Sequence, residues 1–284
     1  MLWSSHIDVL LRPGEVRIAR RRALVPGRQP EIRVYPVGAA ESGDSETGER
    51  WRASIDTLEA ALAGSVGPAS LHVVVSDHFL RYTLVPWNES LVADAERLAF
   101  ARLAFAEIYG SMVDGWSIVL DQQPAGAASF GCAMDRDLLQ ALAGVAARHG
   151  LRLRSVRAAL ADRISRHRRA LRERMFCLAS LEPGRLTCAF HDASGWIAVR
   201  TRRVEGSPAE WLAGALKQEA ATAGAADGGR LYLVADDLAQ IGSYTSPTWQ
   251  ITRLSDGAEP RLLLHHGGHG GHGGNKSVST RVAA

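Results

Sequence analysis

Apolar positions alternate with period two near the start and again beyond the middle of this chain, with helical spacing between those runs. His6 to Leu11 reads as a strand, closed by the turn signal Arg12-Pro13-Gly14. Glu15 to Arg20 sets Val16 and Ile18 against Arg17 and Ala19, as a half-buried strand does, and Glu31 to Val37 repeats the pattern with Ile32 and Val34. Glu41 to Glu49 is polar and predicts an exposed loop. Trp51, Ile55, Leu58 and Leu62 then recur at helical spacing, and Gly64 ends that helix. Leu71 to Ser76, with its Val73-Val74-Val75 run, suits a strand buried on both faces. The predicted order is β-β-β-α-β.

The same order returns in the second half. Met175 to Leu181 is a strand, and Glu182-Pro183-Gly184-Arg185 is a turn. Leu186, Cys188 and Phe190 share one face of the next strand. Asp192-Ala193-Ser194-Gly195 turns into a third, where Ile197, Val199 and Thr201 alternate with Ala198 and Arg200. Ser207-Pro208-Ala209-Glu210 has the form of a capping box with proline at the first helical position. The helix it opens carries Trp211, Leu212, Ala215 and Leu216 on its core side and runs to about Ala223. Leu231 to Ala235 supplies the buried strand. This internal duplication is the strongest structural signal in the sequence.

Between the halves the pattern predicts a small α+β insertion. Phe79 to Val85 is a strand ending at Pro86-Trp87, and Asn88 is placed as the cap of a helix lined by Leu91, Ala95, Leu98 and Phe105. Trp116 to Asp121 and Ser129 to Met134 are strands, Asp135 caps a helix that stops at Gly150, and Leu151 to Arg157 is a further strand. A connecting helix, Ala158 to Arg174, leads into the second half. The expected division is therefore residues 1–78, an inserted subdomain 79–157, residues 158–255, and a tail 256–284. The tail holds His265-His266-Gly267-Gly268-His269-Gly270-Gly271-His272 and is expected to be disordered.

With 284 residues, the chain exceeds what one hydrophobic core usually serves, which agrees with two halves. Composition is that of an ordinary globular protein, 46% hydrophobic and 22% charged. No apolar run reaches the length of a membrane span, Leu138 to Ala147 being a short core helix, and Met1 to His6 has no signal-peptide character. A cytoplasmic protein is expected. Cys132, Cys177 and Cys188 sit in strand-like runs without a C-x-x-C pair, as small buried hydrophobes would.

A net charge of +3 selects no class of partner. Nearly all the basic residues are arginine, and ten of them fall between Arg148 and Arg174. On the connecting helix, Leu160, Ile164, His167 and Leu171 form the inward stripe. Arg163, Arg166, Arg169 and Arg172 are then expected outside, as a solvated face or as a dock for an acidic partner or anionic headgroups. No aromatic residues interleave with these arginines, so nucleic-acid binding is not expected. The histidine tract lacks a rigid geometry for a metal, and no metal site is expected. A ribonuclease H-type nuclease needs convergent carboxylates, and Asp8, Glu31, Asp56 and Asp77 are not obviously so placed. No G-x-S-x-G, H-E-x-x-H or Walker A pattern occurs. The tryptophans fall mostly on core-facing positions. Trp87, beside Pro86 at a strand end, is the one singled out as a partner contact.

Two β-β-β-α-β units with an insertion in the first resemble the actin-like (ribonuclease H-like) fold. The segment Val73-Val74-Val75-Ser76-Asp77-His78-Phe79-Leu80-Arg81-Tyr82-Thr83-Leu84-Val85-Pro86-Trp87 is similar to the point where two protein types enter their inserted subdomain. These are pilus-assembly proteins of the PilM type and the cytoplasmic domain of the type II secretion L protein. The resemblance covers about Ile7 to Leu254. It implies a non-catalytic cytoplasmic scaffold, peripheral to the inner membrane, that holds a membrane partner. PilM-type proteins capture a short N-terminal peptide of that partner beside the inserted subdomain. The secretion L protein continues into its own membrane helix; none is seen here, so a separately encoded partner is expected. Whether the chain also forms a homo-oligomer is left open.

Proteins of this fold hold ATP phosphates with two hairpins carrying Asp-x-Gly-type turns and a glycine-rich adenosine turn. In this chain, Asp8-Val9-Leu10-Leu11 lacks glycine and hydroxyls. Glu182-Pro183-Gly184 keeps Glu182 and Gly184 but loses a backbone donor at Pro183. Ala235-Asp236-Asp237 puts Asp236 where glycine admits the nucleotide. No cofactor is therefore expected, Asp8 and Glu182 are read as ordinary hairpin-end residues, and an ATP-binding ATPase and a nucleic-acid binder are the alternatives.

Overall fold

The computed structural model describes residues 5–21, 30–38, 51–64, 68–235, 241 and 244–255. The chain opens with β1 (Ser5–Leu11), β2 (Glu15–Arg21) and β3 (Glu31–Pro36), followed by α1 (Arg52–Leu62) and β4 (Ala69–Val75). A 3-10 turn at Asp77–Phe79 leads into β5 (Leu80–Val85), α2 (Asp94–Tyr109), β6 (Trp116–Leu120), β7 (Ser129–Asp135) and α3 (Arg136–Arg148). Then come β8 (Arg152–Ala158) and α4 (Ala159–His167). The second half consists of β9 (Phe176–Glu182), β10 (Arg185–Asp192), β11 (Gly195–Arg203), α5 (Pro208–Ala223), β12 (Gly229–Ala235) and β13 (Trp249–Ser255).

Two five-stranded sheets have the same plan, β3-β2-β1-β4-β8 and β11-β10-β9-β12-β13. In each, three antiparallel strands are followed by two parallel ones, so β1 pairs β4 in parallel as β9 pairs β12. The duplication read from hydrophobic period is thus a duplication of topology. The sequence had shown one strand fewer in each half. Residues 151–157 were assigned to the insertion, yet β8 pairs β4 from Ser70↔Arg152 to Val75↔Ala158 and closes the first sheet. Its counterpart β13 was not expected at all, although Trp249-Gln250-Ile251-Thr252 alternates as a strand should.

The first sheet is covered on one face by α1 and α3, whose Ile55, Leu58, Leu62, Leu138, Leu142 and Val145 join Val9, Leu11, Leu71 and Val73 in one core. That core extends through Leu160 and Ile164 of α4 into Phe176, Leu178, Tyr232 and Val234 of the second sheet, so the halves share a hydrophobic interior. The opposite face of the second sheet packs α5 through Leu212, Ala215 and Leu216. Although Ser207 precedes α5, its side chain makes no capping bond; Pro208 starts the helix as expected, and Gly224, at φ 66°, ends it.

The inserted part is a three-stranded sheet, β5-β7-β6, with α2 against one face. Leu80, Tyr82, Cys132 and Met134 face the main core, whereas Val85, Ile118 and Ala133 meet Ala101 and Phe105 of α2. Gly131 permits this packing, because a Cβ there would stand 3.0 Å from the Phe105 ring and 3.2 Å from the Thr83 carbonyl oxygen. The helix does not begin at Asn88. Asn88 Oδ1 accepts from the Ser90 amide instead, and α2 starts at Asp94 with Glu96 accepting from the Val92 and Ala93 amides. Its apolar residues are spread around the axis, so Ala95 and Leu98 are exposed rather than part of a buried stripe. Among the described residues no helix is long and apolar enough to cross a membrane.

Candidate functional site

The two hairpins named above, β1–β2 and β9–β10, belong to different sheets, and the 3-10 turn after β4 lies between them. Ser76 is the pivot. Its amide donates to the Leu11 carbonyl at 3.0 Å, and its hydroxyl donates to Glu182 Oε2. That hydroxyl also accepts from the His78 amide at 3.2 Å. His78 Nε2 in turn lies 2.9 Å from the Pro183 carbonyl, so the second hairpin's turn rests on this segment. Burial lowers the His78 pKa, which favours the neutral ring as donor to that carbonyl.

Around Ser76 the charges close ranks. Glu182 Oε1 is 3.8 Å from Arg163 Nη1 and 4.0 Å from Arg12 Nε. Arg163 also donates to Ser180 Oγ and, at 3.4 Å, to the Leu181 carbonyl. Asp77 accepts from Tyr82 Oη at 2.5 Å, from the Leu160 amide at 3.2 Å and from Ser180 Oγ at 3.4 Å. Arg185 donates to the Asp77 carbonyl at 3.3 Å. Glu182, Arg12, Arg163, Ser76 and Asp77 are all less than a tenth exposed. Burial, helped by the Asp77 charge, raises the Glu182 pKa against the pull of Arg163 and Arg12. The Tyr82 hydroxyl is pushed up by burial and by Asp77, which keeps it the donor.

This arrangement corrects three expectations. Glu182 is no ordinary hairpin-end residue: it is the buried anion on which both halves converge. Arg163 does not face solvent; at 3% exposure it is the principal cation of this cluster. Arg166 is half-buried and ion-paired to Asp162 one helical turn earlier. The reason is the length of α4, which ends at His167 rather than Arg174. Like charges at Arg168, Arg169 and Arg172 stand three and four residues apart, which disfavours another helical turn. Of the predicted cationic set only Arg169 and Arg172 are exposed, and His167 is half-buried rather than central to the inward stripe.

Asp8 is equally displaced from its expected role. It sits mid-strand, opposite Ala19 and His72, not at the hairpin end. Its side chain lies on the sheet face under α4, where Arg21 Nε approaches Oδ2 at 3.6 Å and Arg157 pairs Asp162 at 2.9 Å. Burial raises its pKa to about 6 despite Arg21 and Arg157. Asp8 pairs Arg21, whereas Glu182 pairs Arg12 and Arg163 at the hairpin junction. Leu11, in the segment that lacks glycine and hydroxyls, is core. Gly184 does occupy the β9–β10 turn with φ 76°. Asp236, Trp3 and the histidine tract lie outside the described residues. Trp87 is 39% exposed at the exit of β5.

Sequence reasoning missed Arg12, Ser76, Asp77, Ser180 and Tyr82. The signal available was a serine inside a fully buried strand, Phe176–Glu182, and a Ser-Asp pair directly after Val75.

The shared 3-2-1-4-5 sheets, the insertion between the fourth and fifth strands and the junction of hairpins define an actin-like fold. Three solved structures are similar to the chain throughout. The cytoplasmic domain of EpsL, an inner membrane component of the type II secretion system of Vibrio cholerae, matches at 12% identity and TM-score 0.51, covering 89% of this chain and 90% of its own. The PilM–PilN type IV pilus biogenesis complex matches at 12% identity and TM-score 0.56, with 85% and 83% covered. A protein of actin-like ATPase fold from Bacteroides thetaiotaomicron matches at 9% identity and TM-score 0.52, with 84% and 85% covered. No protein-family model matches the chain, and no curated protein matches its sequence.

Proposed function

We propose that the chain is a non-catalytic scaffold in a type IV pilus or type II secretion-like assembly, holding an inner-membrane partner without using nucleotide. The observation that carries this reading is the buried cluster of Glu182, Arg163, Arg12, Ser76 and Asp77 between the two hairpins. In this fold the space between the hairpins is where a triphosphate is expected. The residues present do not fit one. Two carboxylates stand there with Ser76 and Arg163 already committed to them, and a triphosphate would add charge of the same sign. Pro183 offers no amide, and its carbonyl is taken by His78.

The likeness to EpsL and to PilM in its complex with PilN supports the assembly context. Partner capture is assigned to the inserted sheet near Trp87, whose partly exposed indole follows Pro86 at the end of β5. In this reading the chain stands at the cytoplasmic face of the membrane through that partner. The test is titration calorimetry with the cytoplasmic N-terminal peptide of a PilN-like, single-helix membrane protein from the same genome. Binding is expected with the same affinity with and without Mg-ATP, and weaker by about tenfold in Trp87→Ala. Absent binding, or binding that requires Mg-ATP, contradicts the reading.

A further inference from the structure

The arginines of this molecule are unevenly matched. Several surface arginines have an acidic neighbour: Arg33 with Glu31, Arg97 with Asp94, Arg148 with Glu59, Arg203 with Glu205. The connection between α4 and β9 instead gathers arginines that are not matched in this way. Arg168, Arg169, Arg172 and Arg174 are all exposed there, and their guanidinium groups make no ion pair or hydrogen bond among the described residues. The one acid in this stretch, Glu173, lies 3.6 Å from Arg230 of β12 and so is not matched to them. Next in the chain, Met175 leaves 59% of its surface in water, immediately before the fully buried start of β9.

We infer that this loop is a direct contact for anionic phospholipid at a bilayer surface. Four unmatched guanidiniums within seven residues produce a local field that no internal acid cancels. They sit on irregular backbone, not on a rigid helix face, so they present no fixed fork for a particular carboxylate. A plane of phosphate headgroups satisfies all four without demanding one geometry. The adjacent methionine is a flexible apolar side chain suited to the headgroup boundary, and the arginine stems can lie along that boundary with their charged ends at the phosphates. The inference goes beyond partner capture: a peptide partner would keep the chain near a membrane only indirectly, whereas this loop touches lipid itself.

Co-sedimentation with vesicles tests it. Two compositions are needed, phosphatidylcholine alone and phosphatidylcholine mixed with phosphatidylglycerol, each at low and high salt. The chain is expected to pellet with the mixed vesicles, to stay in solution with the neutral ones, and to be released by salt. The combined Arg168→Gln, Arg169→Gln, Arg172→Gln, Arg174→Gln variant should lose roughly a hundredfold or more in partition, from about fivefold per arginine. Should it fail to fold, Arg168→Gln with Arg169→Gln makes the same test at about twentyfold. Equal binding to both vesicles, no binding to either, or wild-type partition in the variants overturns the inference. Capture of polyglutamate in place of mixed vesicles also overturns it, by assigning the loop to an acidic polypeptide. No membrane partner is present in this assay, so its failure leaves the scaffold reading standing.

Discussion

Glu182 is held by one serine and two arginines, and burial raises its pKa against the pull of those arginines. Breaking such a set from one side is expensive, since the remaining charges stay buried. Glu182→Ala should therefore destabilise the fold by about 3 kcal/mol, whereas Glu182→Gln should cost less because the Ser76 hydroxyl keeps an acceptor. Urea unfolding of both variants checks this, and equal stabilities would show that the cluster carries no net weight. Asp8 makes a separate prediction through its pH linkage. Its folded pKa, about 6, lies above the ordinary carboxylate value, so the folded chain binds its proton more tightly than the unfolded one. Stability from this group is present at low pH and is lost as pH rises from about 4 through 6. Asp8→Asn removes that loss. Compared with wild type, the variant should gain about 1 kcal/mol between pH 5 and pH 7.5, read from urea midpoints at each pH. A difference that does not change with pH would place Asp8 in a solvated setting.

Elements were read from the sequence with uneven success, and the reasons are physical. The strands β1, β2, β9 and β10 were legible because each has one clear apolar face or is apolar throughout, and their turns carry Pro-Gly pairs. α1 was legible because Ile55, Leu58 and Leu62 make a single stripe. α2 was not, since Leu98, Leu103 and Ile108 leave apolar side chains exposed around the helix and blur the period. α4 was overextended because Leu171 continues the helical spacing beyond the point where crowded arginines end the helix. That one error carried Arg163 to the wrong side: with the stripe anchored on His167 and Leu171, the buried arginine appeared as surface. The cluster around Ser76 was illegible for another reason. Its members come from β1–β2, the turn after β4, β5, α4 and β9–β10, and no local period reports a contact between such distant segments. A buried arginine also contradicts the default expectation, which is met only when a partner such as Glu182 is already known.

Across the whole molecule, two copies of one sheet topology meet along α4 and the hairpin junction, with a shared apolar interior behind and a buried charge cluster in front. An actin-like protein that works with nucleotide needs the space between its halves to admit a ligand. Here that space is crossed by Ser76–Glu182, His78–Pro183 and Arg185–Asp77, each joining one half to the other. These contacts favour one fixed relation of the halves, the condition under which a scaffold presents a constant surface to its partner. In the proposed scaffold reading, surface roles fall to features outside the cleft, the inserted sheet near Trp87 and the arginine loop before β9.

The most direct test of a cleft filled by the protein's own side chains is titration calorimetry of the intact chain with Mg-ATP. The account predicts no saturable heat up to millimolar nucleotide. Stoichiometric binding that Glu182→Ala or Arg163→Ala abolishes would contradict it, because it would mean that the cluster opens to hold a triphosphate.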